Sequence, residues 1–137
     1  MDQTEAILAR FREWVATWNE GGLEHAPAIW HEDIVWVEPP GFPDAGTRRG
    51  RDAGVARMRE RFALLGEVKV ELLGAEVRGH RLFVEAVVSG EGAASGVPAQ
   101  QPEWWVYEFA EDGRVVLWLE FLSREPALAA LEESAGA

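Results

Sequence analysis

The sequence contains no cysteine. Disulfides, thiolate metal sites and a cysteine nucleophile are therefore excluded. Bases are few: 13 Lys plus Arg stand against 24 Asp plus Glu, a formal net charge of −11. Affinity for nucleic acid comes largely from Lys and Arg displacing counterions, so a phosphate-backbone partner is disfavoured. An anionic membrane surface is disfavoured for the same reason. No apolar run approaches the ~20 residues of a membrane helix. The opening Met1-Asp2-Gln3-Thr4-Glu5 is acidic and polar, unlike a signal peptide. A soluble, cytoplasmic protein is the expectation. Tyrosine occurs once, whereas there are 7 Trp and 6 Phe. Seven indoles in 137 residues require a large core or a large pocket, because each buried N–H seeks an acceptor. The length suits one domain spanning residues 1–137.

Apolar spacing predicts the elements. Ile7, Leu8, Phe11, Trp14, Val15 and Trp18 recur at helical intervals after an Asp2/Glu5 capping box, and Gly21-Gly22 stops that helix. A short helix over Leu23 to Trp30 follows, then a strand from Ile34 to Glu38 ended by Pro39-Pro40. Residues 41–49 read as a loop. A helix from Arg51 to Leu65 buries Val55, Met58, Phe62 and Leu65, leaving Arg57, Arg59, Glu60 and Arg61 as a solvated face. From Val68 the period becomes two. Strands are predicted at 68–72, 75–78, 82–88, 103–110 and 114–122. A tight turn at Gly79-His80, a Gly/Ala/Ser/Pro-rich connection over 89–102 and a closing helix at 125–133 complete the chain. The fold class is α+β: a curved antiparallel or mixed sheet wraps three helices into a cone with an internal pocket, and a short C-terminal helix is added.

Strand parity gathers glutamates with tryptophans. Trp36 and Glu38 share one face of the first strand, and Trp118, Glu120 and Leu122 one face of the last. Phe83, Glu85 and Val87 share a face of a middle strand, as do Trp104 and Val106 of the next. If these faces are concave, Glu38, Glu85 and Glu120 sit in a cavity with Trp14, Trp18, Trp36, Trp104, Trp118 and Phe83. The opposite faces, including Trp105, Tyr107, Leu117, Leu119 and Phe121, are then too apolar for water, and a homodimer through that sheet face is expected. Carboxylates in an aromatic cavity have displaced proton affinities that suit acid/base work. The plainer alternative makes Glu85 and Glu120 ordinary surface residues. His25, His31 and His80 show no metal-ligand spacing, so no metal site is expected.

Several strings resemble the SnoaL-like family of the nuclear transport factor 2-like (cystatin-like cone) superfamily. They are Phe11 through Trp14 and Trp18 to Asn19-Glu20-Gly21, Trp30-His31-Glu32-Asp33-Ile34-Val35-Trp36, Pro43-Asp44-Ala45-Gly46 with Arg49-Gly50-Arg51-Asp52, and Leu119-Glu120-Phe121-Leu122. The resemblance implies a single-domain cone and a small-molecule pocket. In the ketosteroid isomerase pattern, Glu38 takes the place of the general base and Trp14 that of the tyrosine donor, while Pro102 falls where a second acid donor stands. In the epoxide hydrolase pattern, Glu120 keeps a carboxylate position, and Glu85, Trp36 and Glu38 fall near other site positions. The resemblance thus implies a cofactor-free isomerase, cyclase, dehydratase or hydrolase. It would act on a hydrophobic cyclic or aromatic ligand through Glu38, Glu120 or Glu85. The alternatives are a non-catalytic binding module and a structural dimer of the same fold.

Overall fold

In a computed structural model the chain is described over residues 3–66, 68–91 and 98–135. Asp2 and the middle of the 89–102 connection lie outside that range. The amphipathic opening forms α1 (Gln3–Gly21), and Gly22, at φ 60°, starts a one-turn 3-10 segment (Gly22–His25). The short α2 (Ala26–Ile29) leads directly into β1 (Trp30–Val37). Three residues of the expected loop pair with β1 as β2 (Thr47–Arg49). Helix α3 (Arg51–Leu65) has the bounds its apolar stripe predicts.

The remaining strands are β3 (Lys69–Arg78), β4 (Arg81–Glu91), β5 (Pro98–Phe109) and β6 (Val115–Phe121), closed by α4 (Arg124–Ala135). The two strands expected at 68–72 and 75–78 are one. A register shift between Leu72 and Gly74 interrupts the alternation that separates them in the sequence. Strands β4 and β5 run longer than their apolar cores, taking in much of the expected connection.

The six strands form one curved mixed sheet in the order β2-β1-β6-β5-β4-β3. All neighbours are antiparallel except β1 and β6, which run parallel and place Trp36 opposite Trp118. The main core lies on the concave face, where Phe11, Val15 and Trp18 of α1 and Met58 of α3 meet Trp36, Val84, Trp105, Tyr107 and Trp118. On the convex face Ala127 and Leu131 of α4 pack on Phe83 and Val106, with Trp104, Leu119 and Phe121 beside them. No helix is long and apolar enough to cross a membrane among the described residues.

The parity of β4 and β5 differs from the sequence expectation. Trp105 lies opposite Glu120 and Tyr107 opposite Trp118, so these four share the concave face. Val84 pairs with Trp105, which turns Leu82, Val84 and Ala86 inward and Phe83, Glu85 and Val87 outward. Both faces of Leu82–Val88 and of Trp104–Tyr107 are apolar, because helices cover the sheet on both sides. Alternation alone therefore does not choose the face, and a one-residue slip exchanges every side chain.

Candidate functional site

Among the described residues five charged side chains are buried together: Glu38, Arg57, Arg61, Glu103 and Glu120. Local sequence explains each placement. Arg57 and Arg61 are one helical turn apart on α3 and project from the same side. Glu38 follows the last residue of β1, where Pro39-Pro40 ends the strand. Glu103 alternates with Trp105 and Tyr107 on β5, and Glu120 with Trp118 on β6.

Arg61 is the hub. Its Nη1 and Nη2 donate to the two Glu120 oxygens at 2.8 and 2.7 Å, and Nη2 also reaches Glu38 at 2.6 Å. The guanidinium lies 4.6 Å from the Trp36 ring centre and 3.9 Å from that of Phe42, a planar cation between two aromatic faces. Trp36 Nε1 donates to Glu120 Oε1 at 3.1 Å. Arg57 Nε meets both Glu38 oxygens at 3.0 and 2.9 Å, and Arg48 Nε donates to the same carboxylate at 2.8 Å. Arg57 and Arg48 also donate to the carbonyls of Pro43 and Asp44, which ties down the loop that carries Phe42.

Buried ions persist only when paired and hydrogen-bonded. Burial alone would raise the Glu38 carboxyl, but donation from Arg61, Arg48 and Arg57 outweighs it and holds Glu38 below the usual carboxylate range. Burial likewise works against the Arg57 and Arg61 charges, and their glutamate partners more than compensate. Glu103 differs. Burial, the neighbouring Glu120 charge and a hydrogen bond with Glu120 push its carboxyl up to about 10, against the opposing effect of the Trp105 indole, which donates to it at 2.8 Å. Glu103 is thus a neutral acid at pH 7, and the buried charges balance: Arg57 and Arg61 against Glu38 and Glu120. Burial, then the Glu120 charge and, at the alkaline pH where Glu103 also ionises, the Glu103 charge, raise the Tyr107 phenol well above its ordinary value.

Beside Glu103, Glu120 and Arg61 lies a cavity of about 50 Å³, walled otherwise by Trp14, Trp18, Trp30, Phe42, Met58, Trp105, Tyr107, Trp118 and three valines. It has room for a few waters. Of the sequence-derived residues, Trp14, Trp18, Trp118 and Glu120 line this space. Trp36 lies behind the wall, stacked on Trp118 at 4.4 Å and 9°. Glu38 is sealed from solvent by its three arginines.

Glu85, Phe83 and Trp104 do not join the cavity. They face the convex side, where Glu85 forms a half-exposed pair with Arg124 and the two rings pack near α4. Trp105 and Tyr107, expected on a dimer face, are core residues of the cavity wall.

Sequence reasoning missed Glu103, Arg57 and Arg61. The two arginines read as a solvated face, yet glutamates set between apolar neighbours need cations, and an i, i+4 arginine pair beside the Met58/Phe62 stripe supplies them. The signal for Glu103 is its alternation with Trp105 and Tyr107. Among the described residues no cluster of His, Asp and Glu is arranged to hold a metal ion.

The SnoaL-like domain family matches residues 11–118, most of the chain and every buried ionic residue except Glu120. The chain belongs to the SnoaL-like domain family. No curated protein matches it in sequence. Solved structures do match this SnoaL-like chain in fold. A nuclear transport factor 2-like protein of unknown function from Burkholderia pseudomallei superposes with a TM-score of 0.74 at 19% identity, over 92% of this chain and 95% of that one. TerC, co-crystallised with polyporic acid, has a TM-score of 0.73 at 16% identity over 93% and 95% of the two chains. A candidate SnoaL-like polyketide cyclase from Jannaschia sp. CCS1 has a TM-score of 0.68 at 15% identity over 96% and 94%. At these identities the likeness establishes the nuclear transport factor 2-like cone.

Proposed function

We propose that this SnoaL-like protein is a cofactor-independent acid/base enzyme acting on a hydrophobic cyclic small molecule by isomerisation, cyclisation, dehydration or hydrolysis. The observation that carries the reading is the Glu103–Glu120 pair on the wall of an aromatic cavity: burial and the neighbouring Glu120 raise the Glu103 carboxyl to about 10, and Arg61 donates to both Glu120 oxygens at 2.8 and 2.7 Å. A carboxyl that keeps its proton beside one ion-paired to an arginine supplies an acid and a base at one pH. In this reading Glu103 gives a proton to a substrate oxygen and Glu120 receives one. Arg61 positions Glu120, and Glu38 anchors Arg61 and Arg57 without touching substrate. Trp14, Trp18, Trp30, Trp105 and Trp118 supply flat apolar contact. Names attached to solved relatives, a polyketide cyclase candidate and a protein co-crystallised with polyporic acid, are consistent with such ligands.

A panel of uncharged cyclic ketones, enols and epoxides tests this by turnover. On a substrate so found, Glu103→Gln and Glu120→Gln are expected to lower kcat by roughly 10²-fold or more while the circular dichroism spectrum stays that of the parent. Full turnover in both variants would refute the acid/base pair. Binding without product, equal in parent and variants, would favour a carrier of the same fold. We further propose a homodimer through the convex face at Leu117, Leu119 and Phe121, beside α4. Sedimentation equilibrium showing a monomer at micromolar concentration would exclude it.

A further inference from the structure

Trp14 stands between two spaces. On one side is the aromatic cavity with Glu103 and Glu120. On the other is a surface groove of about 400 Å³, bounded by α1, the end of α2 and the β5–β6 turn, with Arg10, Glu13, Asp112 and Arg114 along it. Among the described residues Trp14 alone lines both.

The other indoles on the cavity wall are fixed. Trp18 Nε1 donates to the Val68 carbonyl at 3.1 Å and Trp105 Nε1 to Glu103 at 2.8 Å. Trp30 is 1% exposed and lies so close to Gly54 that a Cβ there would meet its ring at 3.2 Å. Trp118 is stacked between Trp36 and Tyr107. The N–H groups of Trp14, Trp30 and Trp118 all lack a hydrogen-bond partner, and Trp14 differs in being only half-buried, its ring held by tilted contacts with Phe11 and Trp18 at 5.9 Å. Turning it breaks no hydrogen bond.

Cavity alone, at about 50 Å³, is too small for a ring system, since sites for drug-sized ligands span roughly 300–1,000 Å³. Cavity and groove joined fall within that range. Charge is balanced in both compartments. Inside, Arg61 and Arg57 answer Glu120 and Glu38. Along the groove Arg114 is paired with Asp112 at 2.8 Å, and Arg10 and Glu13 are one of each sign.

We propose that Trp14 is the movable partition of a single elongated site, formed by cavity and groove, which takes a flat, uncharged, apolar molecule of at least two fused or linked rings. One end lies against the Glu103–Glu120 wall and the other in the groove, so Trp14 sets the length of ligand accepted. This rests on the reading of the cavity as a ligand site.

The test uses two fluorescent probes that differ by one charge: N-phenyl-1-naphthylamine, and 1-anilinonaphthalene-8-sulfonate with the same ring skeleton. In stopped-flow mixing, Trp14→Ala is expected to accelerate association of the uncharged probe about tenfold or more, with a smaller gain in Trp14→Phe. The sulfonate is expected to bind about tenfold more weakly or worse. If Trp14→Ala does not fold, Trp14→Phe carries the comparison. Unchanged association rates in a folded Trp14 variant that still binds the uncharged probe overturn the proposal. So does acceleration by Phe42→Ala in place of the Trp14 variants, which would put the way in beneath the 39–46 loop. Equal affinity for both probes overturns the uncharged class. If no protein in the series binds the uncharged probe, the cavity is not a ligand site and the underlying reading falls with it.

Discussion

Arg61 touches both Glu38 and Glu120 and lies between Trp36 and Phe42, so its removal leaves two buried carboxylates short of a cation. Breaking one side of a buried ion pair costs about 3–5 kcal/mol, mostly through the charge left behind. Arg61→Met should lower stability in urea denaturation by about 3 kcal/mol, and adding Glu120→Gln should restore part of it. Additive losses in the double variant would mean that the two side chains do not act as a pair. Gly54 works at the same scale: its missing side chain leaves the space that the Trp30 ring fills.

At the scale of elements, α4 decides what the convex face of the sheet does. Leu131 is 1% exposed against Phe83 and Val106, and Leu131→Ala should cost about 2–4 kcal/mol by urea denaturation. Glu85 pairs with Arg124 while both remain partly exposed, and exposed pairs contribute little. Glu85→Gln should therefore change stability by less than about 0.5 kcal/mol and leave turnover intact. A large loss in turnover would return Glu85 to the site.

Much of this architecture is legible in the sequence. Helix α3 has its bounds written in the stripe from Val55 to Leu65. Trp36, Trp118 and Glu120 lie on the face read for them, with Trp36 opposite Trp118 and Glu120 opposite Trp105. The inward direction of β4 and β5 is not legible, because α4 makes both of their faces apolar. Glu103 and the two arginines are hidden for a related reason: a charged side chain is read as solvated until its partner, 17 to 59 positions away, is known. Residues 47–49 look like loop because a three-residue edge strand carries too little alternation to register.

For the whole molecule, the buried carboxyls shape stability against pH from both sides. Glu38 is held below its unfolded value, so its contribution is present above about pH 4.3 and is lost as pH falls through the lower folded value. Glu103 is raised to about 10 in the folded state. It holds its proton more tightly when folded, so stability falls as pH rises from about 4.3 toward that folded value. Glu103→Gln keeps an acceptor for Trp105 and a donor for Glu120 without a titrating proton. The variant should match the parent near pH 5 and exceed it by a few degrees in Tm at pH 9. A lower Tm at pH 9 would show that the acid proton matters structurally beyond its charge.

The parallel pairing of β1 with β6 joins the first strand of the chain to the last. Everything between them must be synthesised before Trp36 can stack on Trp118 or before Arg61 can bridge Glu38 and Glu120. On a ribosome releasing residues in order, the concave wall stays open and the α3 arginines lack one of their acids until β6 emerges. Contacts of such long sequence separation form slowly, so the ionic site is among the last parts of the molecule to assemble. A chain stalled before residue 115 would carry its indoles on an unfinished sheet edge, the state most exposed to wrong association.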